Sequence, residues 1–202
     1  MSGNPFDSKA DEYDSWFERH RPTYLSELAA LRLTVPEGRG LEVGVGTGRF
    51  AQPLRLSVGL DSSTAMLRAA RERGLAVVRG KAESLPFRIG AFDFVLMVTV
   101  LCFADPFPTL MEACRVVRPG GRLIVGLLDR ESPLGKVYAD KAAGSRFYDA
   151  AKFLSVPEAE KMMRDAGWRV EGVRQTVFGK ETQEPVLDGH GQGLFVVISA
   201  RR

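Results

Sequence analysis

The 202-residue chain has only two cysteines, Cys102 and Cys114, and two histidines, His20 and His190. Each cysteine lies inside an apolar segment, which argues against a disulfide framework or a cysteine-built zinc site and fits a reducing cytoplasm. The four residues stand far apart without ligand spacing, so no metal is expected. Long hydrophobic runs are also missing. The longest, Phe94 to Phe103, falls short of the ~18 residues that a membrane-spanning helix requires. The opening Met-Ser-Gly-Asn-Pro, soon followed by acids, lacks the basic and apolar regions of a secretion signal, so a cytoplasmic protein with no membrane partner is expected. Neither sign of charge dominates: 28 basic against 25 acidic side chains leave +3, and the basic residues are spread along the sequence. A nucleic-acid partner usually calls for a concentrated basic patch, so none is expected.

With 45% hydrophobic and 26% charged residues, the composition is that of a globular chain. At about 150 residues per domain, the length allows one unit and a surplus of roughly a third. Strand-like and helix-like segments alternate from Leu41 onward. Gly40 to Gly44 reads as a strand entering a glycine-rich turn, followed by a brief helix stopped by Pro53. Strands follow at Ser57–Asp61, Leu75–Arg79, Phe92–Thr99 and Arg122–Gly126. The intervening helices are Ala65–Arg73, stopped by Gly74, and Leu110–Val117, capped by Thr109. Ser155-Val-Pro-Glu158 is a capping box that opens a helix ended by Gly167. Arg169–Phe178 and Leu194–Ala200 are two strands in succession. These elements predict an α/β fold: a doubly wound, mostly parallel seven-stranded sheet with helices on both faces and a C-terminal antiparallel hairpin.

The chemistry-bearing motif is Glu42-Val-Gly44-Val-Gly46-Thr47-Gly48. Glycines at alternate positions after a strand let the backbone turn sharply and approach a ligand closely. A dinucleotide fingerprint needs a third glycine at position 49, where this chain has Arg49, and no Lys-Ser/Thr pair follows to make a P-loop. A nucleoside-bearing ligand without a pyrophosphate is the better match. Asp61 ends the next strand, where a carboxylate can accept from both hydroxyls of a ribose or cap the following helix.

These residues resemble the class I S-adenosylmethionine-dependent methyltransferases. The likeness rests on Glu42-x-Gly44-x-Gly46-x-Gly48 and on Gly59-Leu-Asp61 with Ser62 and Met66. It extends to Gly80-Lys-Ala-Glu83-Ser-Leu-Pro-Phe87, Phe92-Asp93-Phe-Val-Leu-Met97 and Glu112-Ala-Cys-Arg115-Val-Val-Arg-Pro119-Gly-Gly121. Phe153-Leu-Ser155 through Ala166-Gly-Trp168 completes a series that spans roughly residues 37 to 200. The resemblance implies S-adenosylmethionine as cofactor and S-adenosylhomocysteine as product. By it, the backbone of Gly44, Val45, Gly46, Thr47 and Gly48 faces the methionine part, Glu42 helps hold its amino group, and Asp61 holds the ribose. Ser62 and Met66 line the adenine pocket, Ala82 offers its backbone amide, and Met97 and Val98 contribute backbone contacts. Where the family usually has an acceptor Asp, this chain has Lys81, which cannot accept a hydrogen bond; either Glu83 takes over or adenine is held less specifically. Tyr13 resembles a tyrosine that closes over the cofactor in some relatives, its alternative being an aromatic packed on the sheet.

Methyl transfer needs alignment and dryness more than a triad. His20 is a candidate base beside Arg19 and Arg21, where a solvated helix residue is the alternative, and Cys102 reads as a small hydrophobe. The expected organisation is a single domain: residues 1–36 as an N-terminal helical cap, 37–128 as cofactor-binding core, 129–153 as an insertion or lid, and 154–202 as C-terminal helix and hairpin. The acceptor should meet the cap, the turn after Val100 and the insertion. Trp16, Phe17, Phe103, Phe107, Tyr138, Phe147 and Tyr148 suggest a partly apolar pocket for a small molecule. The protein is expected to be a monomer or homodimer. The competing readings are a protein methyltransferase and a catalytically idle cofactor-binding protein. An NAD-dependent oxidoreductase is less favoured, because of Arg49 and the terminal hairpin.

Overall fold

Period-two alternation of aliphatic and aromatic side chains organises the centre of the chain. In the strand Phe92–Val98, Phe94, Leu96 and Val98 face one layer of helices while Val95 and Met97 face the other. The computed structural model describes residues 10–142 and 151–202. Its elements are α1 (Ala10–Arg19), α2 (Arg21–Arg32), β1 (Gly40–Val43), β2 (Val58–Asp61), α3 (Thr64–Glu72), β3 (Val77–Arg79) and β4 (Phe92–Val98). They continue with α4 (Pro106–Val116), β5 (Val117–Leu128), α5 (Pro133–Ala142), α6 (Val156–Asp165), β6 (Arg169–Thr176), β7 (Leu187–Asp188) and β8 (Phe195–Arg201).

The strands form one sheet in the order β3-β2-β1-β4-β5-β8-β6-β7. The first five in that order run parallel; β8 is antiparallel to both β5 and β6, and so sits inside the sheet between them. Leu28, Ala30 and Leu31 of α2, Phe17 of α1 and Leu67 of α3 cover one face. Leu110, Ala113 and Val116 of α4, with Val156, Ala159 and Met163 of α6, cover the other. This is the doubly wound arrangement read from the sequence.

Four expectations are corrected. The sheet has eight strands rather than seven, because Leu187 and Asp188 in the polar loop pair with Gln175 and Arg174 at its edge. No helix forms between Gly48 and Leu56: isolated bonds such as Gln52 N to Gly48 O (3.2 Å) make successive turns that Pro53, lacking an N–H, cannot extend. Helix α4 begins at Pro106 rather than Leu110, since proline suits a first helical turn, and buried Thr109 therefore lies within the helix instead of capping it. Strand β5 begins at Val117, and its pairing with β4 shifts register between Phe92 and Phe94 as the chain passes Gly120 and Gly121. The capping box stands as expected, with Ser155 Oγ accepting from Glu158 N and the Glu158 carboxylate accepting from Ser155 N. Residues 1–9 of the expected cap and 143–150 of the expected lid lie outside the described residues. Among the described residues no helix is long and apolar enough to cross a membrane, and no group of His, Cys, Asp and Glu could hold a metal ion.

Candidate active site

The parallel register Val43↔Leu60 aligns the carboxyl ends of β1 and β2, which brings the glycine turn beside Asp61. Gly46 N donates to Asp61 Oδ2 at 2.9 Å, and Ser63 N donates to Oδ1 at 2.8 Å. Asp61 therefore supports both the turn and the start of α3, while the N-cap itself is Ser63, whose Oγ accepts from Met66 N. Gly44 and Gly46 take positive φ, +70° and +52°. A Cβ at Gly44 would strike the Val100 side chain at 2.5 Å, and one at Gly46 would project toward the Tyr13 ring at 3.5 Å.

The neighbouring strand ends supply the walls. Gly80 N donates to Asp61 O, and a tight turn from Lys81 to Ser84 follows β3. Glu112 and Arg115 of α4 clamp the loop beyond it: Arg115 bonds the Leu85 and Phe87 carbonyls, and Glu112 Oε2 accepts from Leu85 N at 2.7 Å. After β4 the backbone kinks at Thr99, whose φ of +52° is unusual for a β-branched residue. The kink is held by Thr99 N donating to Gly126 O and by Cys102 Sγ donating to Thr99 O. It explains why the strand stops one residue short of the expected Thr99.

These elements and the first two helices enclose a cavity of about 610 Å3. Of the residues expected at a cofactor site, Tyr13, Gly44, Gly46, Asp61, Ser62, Met66, Ala82, Glu83 and Val98 line it. The others do not. Val45 packs against Gly59, and a Cβ at Gly48 would collide with Leu75 at 2.4 Å, so both serve the seat of the turn. Met97 is fully buried in the core on the α4 and α6 side. Glu42 lies beneath the turn, 1% exposed, with Oε2 lacking a hydrogen-bond partner. Burial, reinforced by the nearby Asp61 charge, pushes its carboxyl well above the usual range despite a bond from the Ala51 backbone.

Thr47 does different work. Its Oγ1 donates to Asp14 Oδ1 at 2.5 Å, and Arg49 Nε reaches the same oxygen at 3.0 Å. Arg73 pairs with Asp14 Oδ2 and also donates to Thr47 O at 2.9 Å. Asp14 thus clasps α1, which carries Tyr13, onto the glycine turn. Burial acts to raise its pKa, but the bonds from Thr47, Arg49 and Arg73 outweigh it and hold the carboxyl below its usual 3.8. A depressed carboxylate contributes stability above the unfolded value and loses it as pH falls through the folded one. Asp14→Ala is therefore expected to cost about 1–3 kcal/mol near neutrality. In urea titrations the gap to wild type should close below pH 3.8; a gap unchanged in acid would refute the clasp.

Other expected residues lie elsewhere. His20 is exposed and is not among the residues lining the cavity, its ring stacked on Trp16 at 4.6 Å and its Nδ1 against Trp16 O. Cys102 is held as a thiol, burial pushing it up to about 12. Trp16, Phe17 and Phe103 line the cavity, whereas Phe107 and Tyr138 do not, and Phe147 and Tyr148 are outside the described residues. One residue was missed. Glu27 of α2 lines the cavity at 8% exposure, and burial pushes its carboxyl up to about 8.

The methyltransferase domain family matches residues 41–125, from β1 through most of β5. A solved structure from Thermotoga maritima, a SAM-dependent methyltransferase described as a possible histamine N-methyltransferase, is 47% identical. It covers 98% of both chains with a TM-score of 0.95. A demethylmenaquinone methyltransferase of Corynebacterium kroppenstedtii is 31% identical over 67% of this chain and 68% of its own. The chain belongs to the class I S-adenosylmethionine-dependent methyltransferases. An uncharacterised protein of Methanocaldococcus jannaschii, 45% identical over 98% of this chain and 99% of its own, shares nearly the whole length. In this class I methyltransferase the glycine turn, Asp61 and the Gly80–Glu83 wall all stand at the carboxyl ends of parallel strands, where open α/β sheets bind ligands. Lys81 lines that wall, and Glu83 beside it accepts from Asp105 N at 3.2 Å through Oε1.

Proposed function

We propose that the protein transfers the methyl group of S-adenosylmethionine to a small-molecule acceptor and releases S-adenosylhomocysteine. The observation that carries this reading is one cavity whose wall combines the strand-end residues Gly44, Gly46, Asp61, Ser62, Met66 and the Gly80–Glu83 turn with the aromatic side chains Tyr13, Trp16, Phe17, Phe50 and Phe103. Its volume of about 610 Å3 suits small molecules.

The strand-end wall fits a sulfonium nucleoside. The side-chain-free edge at Gly46 admits close approach, and Asp61 offers carboxylate oxygens at the strand end for a ribose. Glu42 keeps one buried oxygen without a partner beneath the turn, suited to an amino group reached through water. Ser62, Met66, Ala82 and Glu83 would surround adenine, with Glu83 supplying the acceptor that Lys81 cannot. When bound, S-adenosylmethionine supplies a methyl carbon already made electrophilic by the sulfonium. The chain's own contribution is then to align the acceptor and exclude water. Tyr13, Trp16 and Phe17, packed edge to face with ring centroids 5.1 and 5.2 Å apart, form the apolar roof that does so. The names of the Thermotoga and Corynebacterium proteins, possible histamine and demethylmenaquinone methyltransferases, favour a small acceptor here too. The two free thiols, Cys102 and Cys114, accord with a cytoplasmic setting.

Calorimetry with S-adenosylmethionine and with NAD tests the donor half: the first should bind and the second should not. Binding of NAD alone would sink the reading. For the acceptor half, a metabolite panel should yield S-adenosylhomocysteine with at least one small molecule. A blank panel would favour an idle cofactor-binding protein.

A further inference from the structure

We propose that Glu27 is the acceptor-recognition residue and that it selects a small primary or secondary amine, which docks as a cation against its carboxylate in the aromatic-lined cavity. The assignment rests on the methyl-transfer reading above.

Glu27 lies in the middle of α2, flanked by Ser26 and Leu28, both buried. It is itself 8% exposed, yet its carboxyl lines the cavity. Its neighbours on the helix have partners: Ser26 Oγ donates to Pro22 O at 2.9 Å and accepts from Glu184 N at 2.8 Å. The Glu27 carboxyl makes no hydrogen bond or ion pair with any described residue, and burial pushes it up to about 8. Removing a carboxylate from water without a partner is costly, and a leucine or glutamine there would fill the same place more cheaply. A buried carboxyl with an unmet bonding capacity, aimed into a cavity, is the arrangement in which a ligand supplies the missing partner.

The surroundings choose the ligand. Trp16, Phe17 and Phe103 line the same cavity as Glu27, and aromatic faces with a carboxylate favour a compact cation. An anionic acceptor would meet repulsion, and an alcohol or phenol would gain a hydrogen bond without the ion pair. The titratable groups sharing the cavity are Tyr13, Asp61, Lys81 and Glu83, and Tyr138 of α5 feels the Glu27 charge. Of these, Asp61 and Glu83 already take backbone N–H groups. Once the ammonium is docked, its proton passes to a Glu27 carboxylate oxygen. The N–H bond breaks, its electron pair remains on nitrogen as the lone pair a nucleophile needs, and the carboxylate becomes a carboxylic acid.

The test uses 2-phenylethylamine and its neutral counterpart 2-phenylethanol as probes, titrated by calorimetry into wild type and Glu27→Gln, each with and without S-adenosylhomocysteine. At pH 9, where the Glu27 carboxyl is ionised, wild type should bind the amine about 10-fold or more tightly than the alcohol, as expected for a charge-assisted bond in a dry site. Glu27→Gln should lose that preference while its affinity for S-adenosylhomocysteine stays within about twofold. The variant should melt no lower than wild type at pH 9, above the folded pKa of about 8, because it removes an unpaired buried charge. Equal affinities for the two probes in wild type, a preference that survives in Glu27→Gln, or a markedly lower melting temperature for the variant would overturn the assignment. If wild type bound no S-adenosylhomocysteine, the methyl-transfer reading would fall. The amine-to-alcohol comparison on the free protein would still decide the role of Glu27.

Discussion

Asp61→Ala is expected to weaken the binding of S-adenosylmethionine by about 1–3 kcal/mol, or roughly 5- to 150-fold, if the proposed charge-assisted hydrogen bonds to the ribose are removed. The carboxylate has a second duty, which makes the result separable into two parts. It accepts from Gly46 N and Ser63 N at 2.9 and 2.8 Å, so the alanine variant also leaves two backbone donors without their acceptor. The turn should loosen, and the melting temperature should fall together with the affinity. Asp61→Asn keeps the shape and one carbonyl acceptor, and should retain more of the fold than of the binding. Calorimetry on both variants checks this. An affinity within twofold of wild type for Asp61→Ala would mean that the ribose lies elsewhere.

Trp168→Ala should destabilise the protein by about 3–5 kcal/mol, the usual cost of emptying a large aromatic from a core. Trp168 is 2% exposed, packs among residues of α4 and α6, and donates Nε1 to Leu110 O at 3.1 Å. Domains are stable by only about 5–15 kcal/mol, so such a loss would bring the variant close to unfolding at growth temperature. Trp168→Phe fills most of the space and loses the indole bond, for about 1 kcal/mol. Because Trp168 does not line the cavity, the folded fraction of either variant should bind the donor as wild type does. Urea midpoints give the first quantity and calorimetry the second. A Trp168→Ala midpoint near that of wild type would show that α4 and α6 collapse to fill the gap.

The parts of the fold legible in the sequence are those where backbone geometry dictates residue type. Gly44 and Gly46 stand at positive φ, Gly74 and Gly167 end helices, and Ser155 with Glu158 makes a cap whose bonds run within three residues. Buried strands announced themselves through Phe92–Val98 and Phe195–Arg201, because apolar side chains on both faces leave continuous runs. β7 was illegible, since two residues in a polar loop carry no periodicity and pair only because β6 passes beside them. The place of Asp61 at the end of β2 beside the turn was legible for the reason the glycines were, whereas its bonds from Gly46 N and Ser63 N were not. The clasp of Asp14 on Thr47, Arg49 and Arg73 was not, because charged residues so far apart in sequence look like solvated surface until the fold joins them. Glu27 was hidden in the same way. A glutamate in a helix that also carries Arg21, Ser26 and Arg32 reads as exposed, and only the tertiary structure around the cavity makes it buried.

The antiparallel strand β8 lies between β5 and β6, and this governs how the chain assembles. Its register, from Leu128↔Phe195 to Arg122↔Arg201, is reached by closing a loop that contains α5, α6, β6 and β7. Closure over such a span carries an entropic cost before its contacts form, which makes this pairing a slow one. Until it is complete, Leu123-Ile-Val-Gly-Leu-Leu128 offers an apolar strand edge on which a second nascent chain can add in place of β8. The sheet's interior seam is therefore also where the protein competes with its own aggregation, and dilute, slow refolding is the condition under which the right strand arrives first.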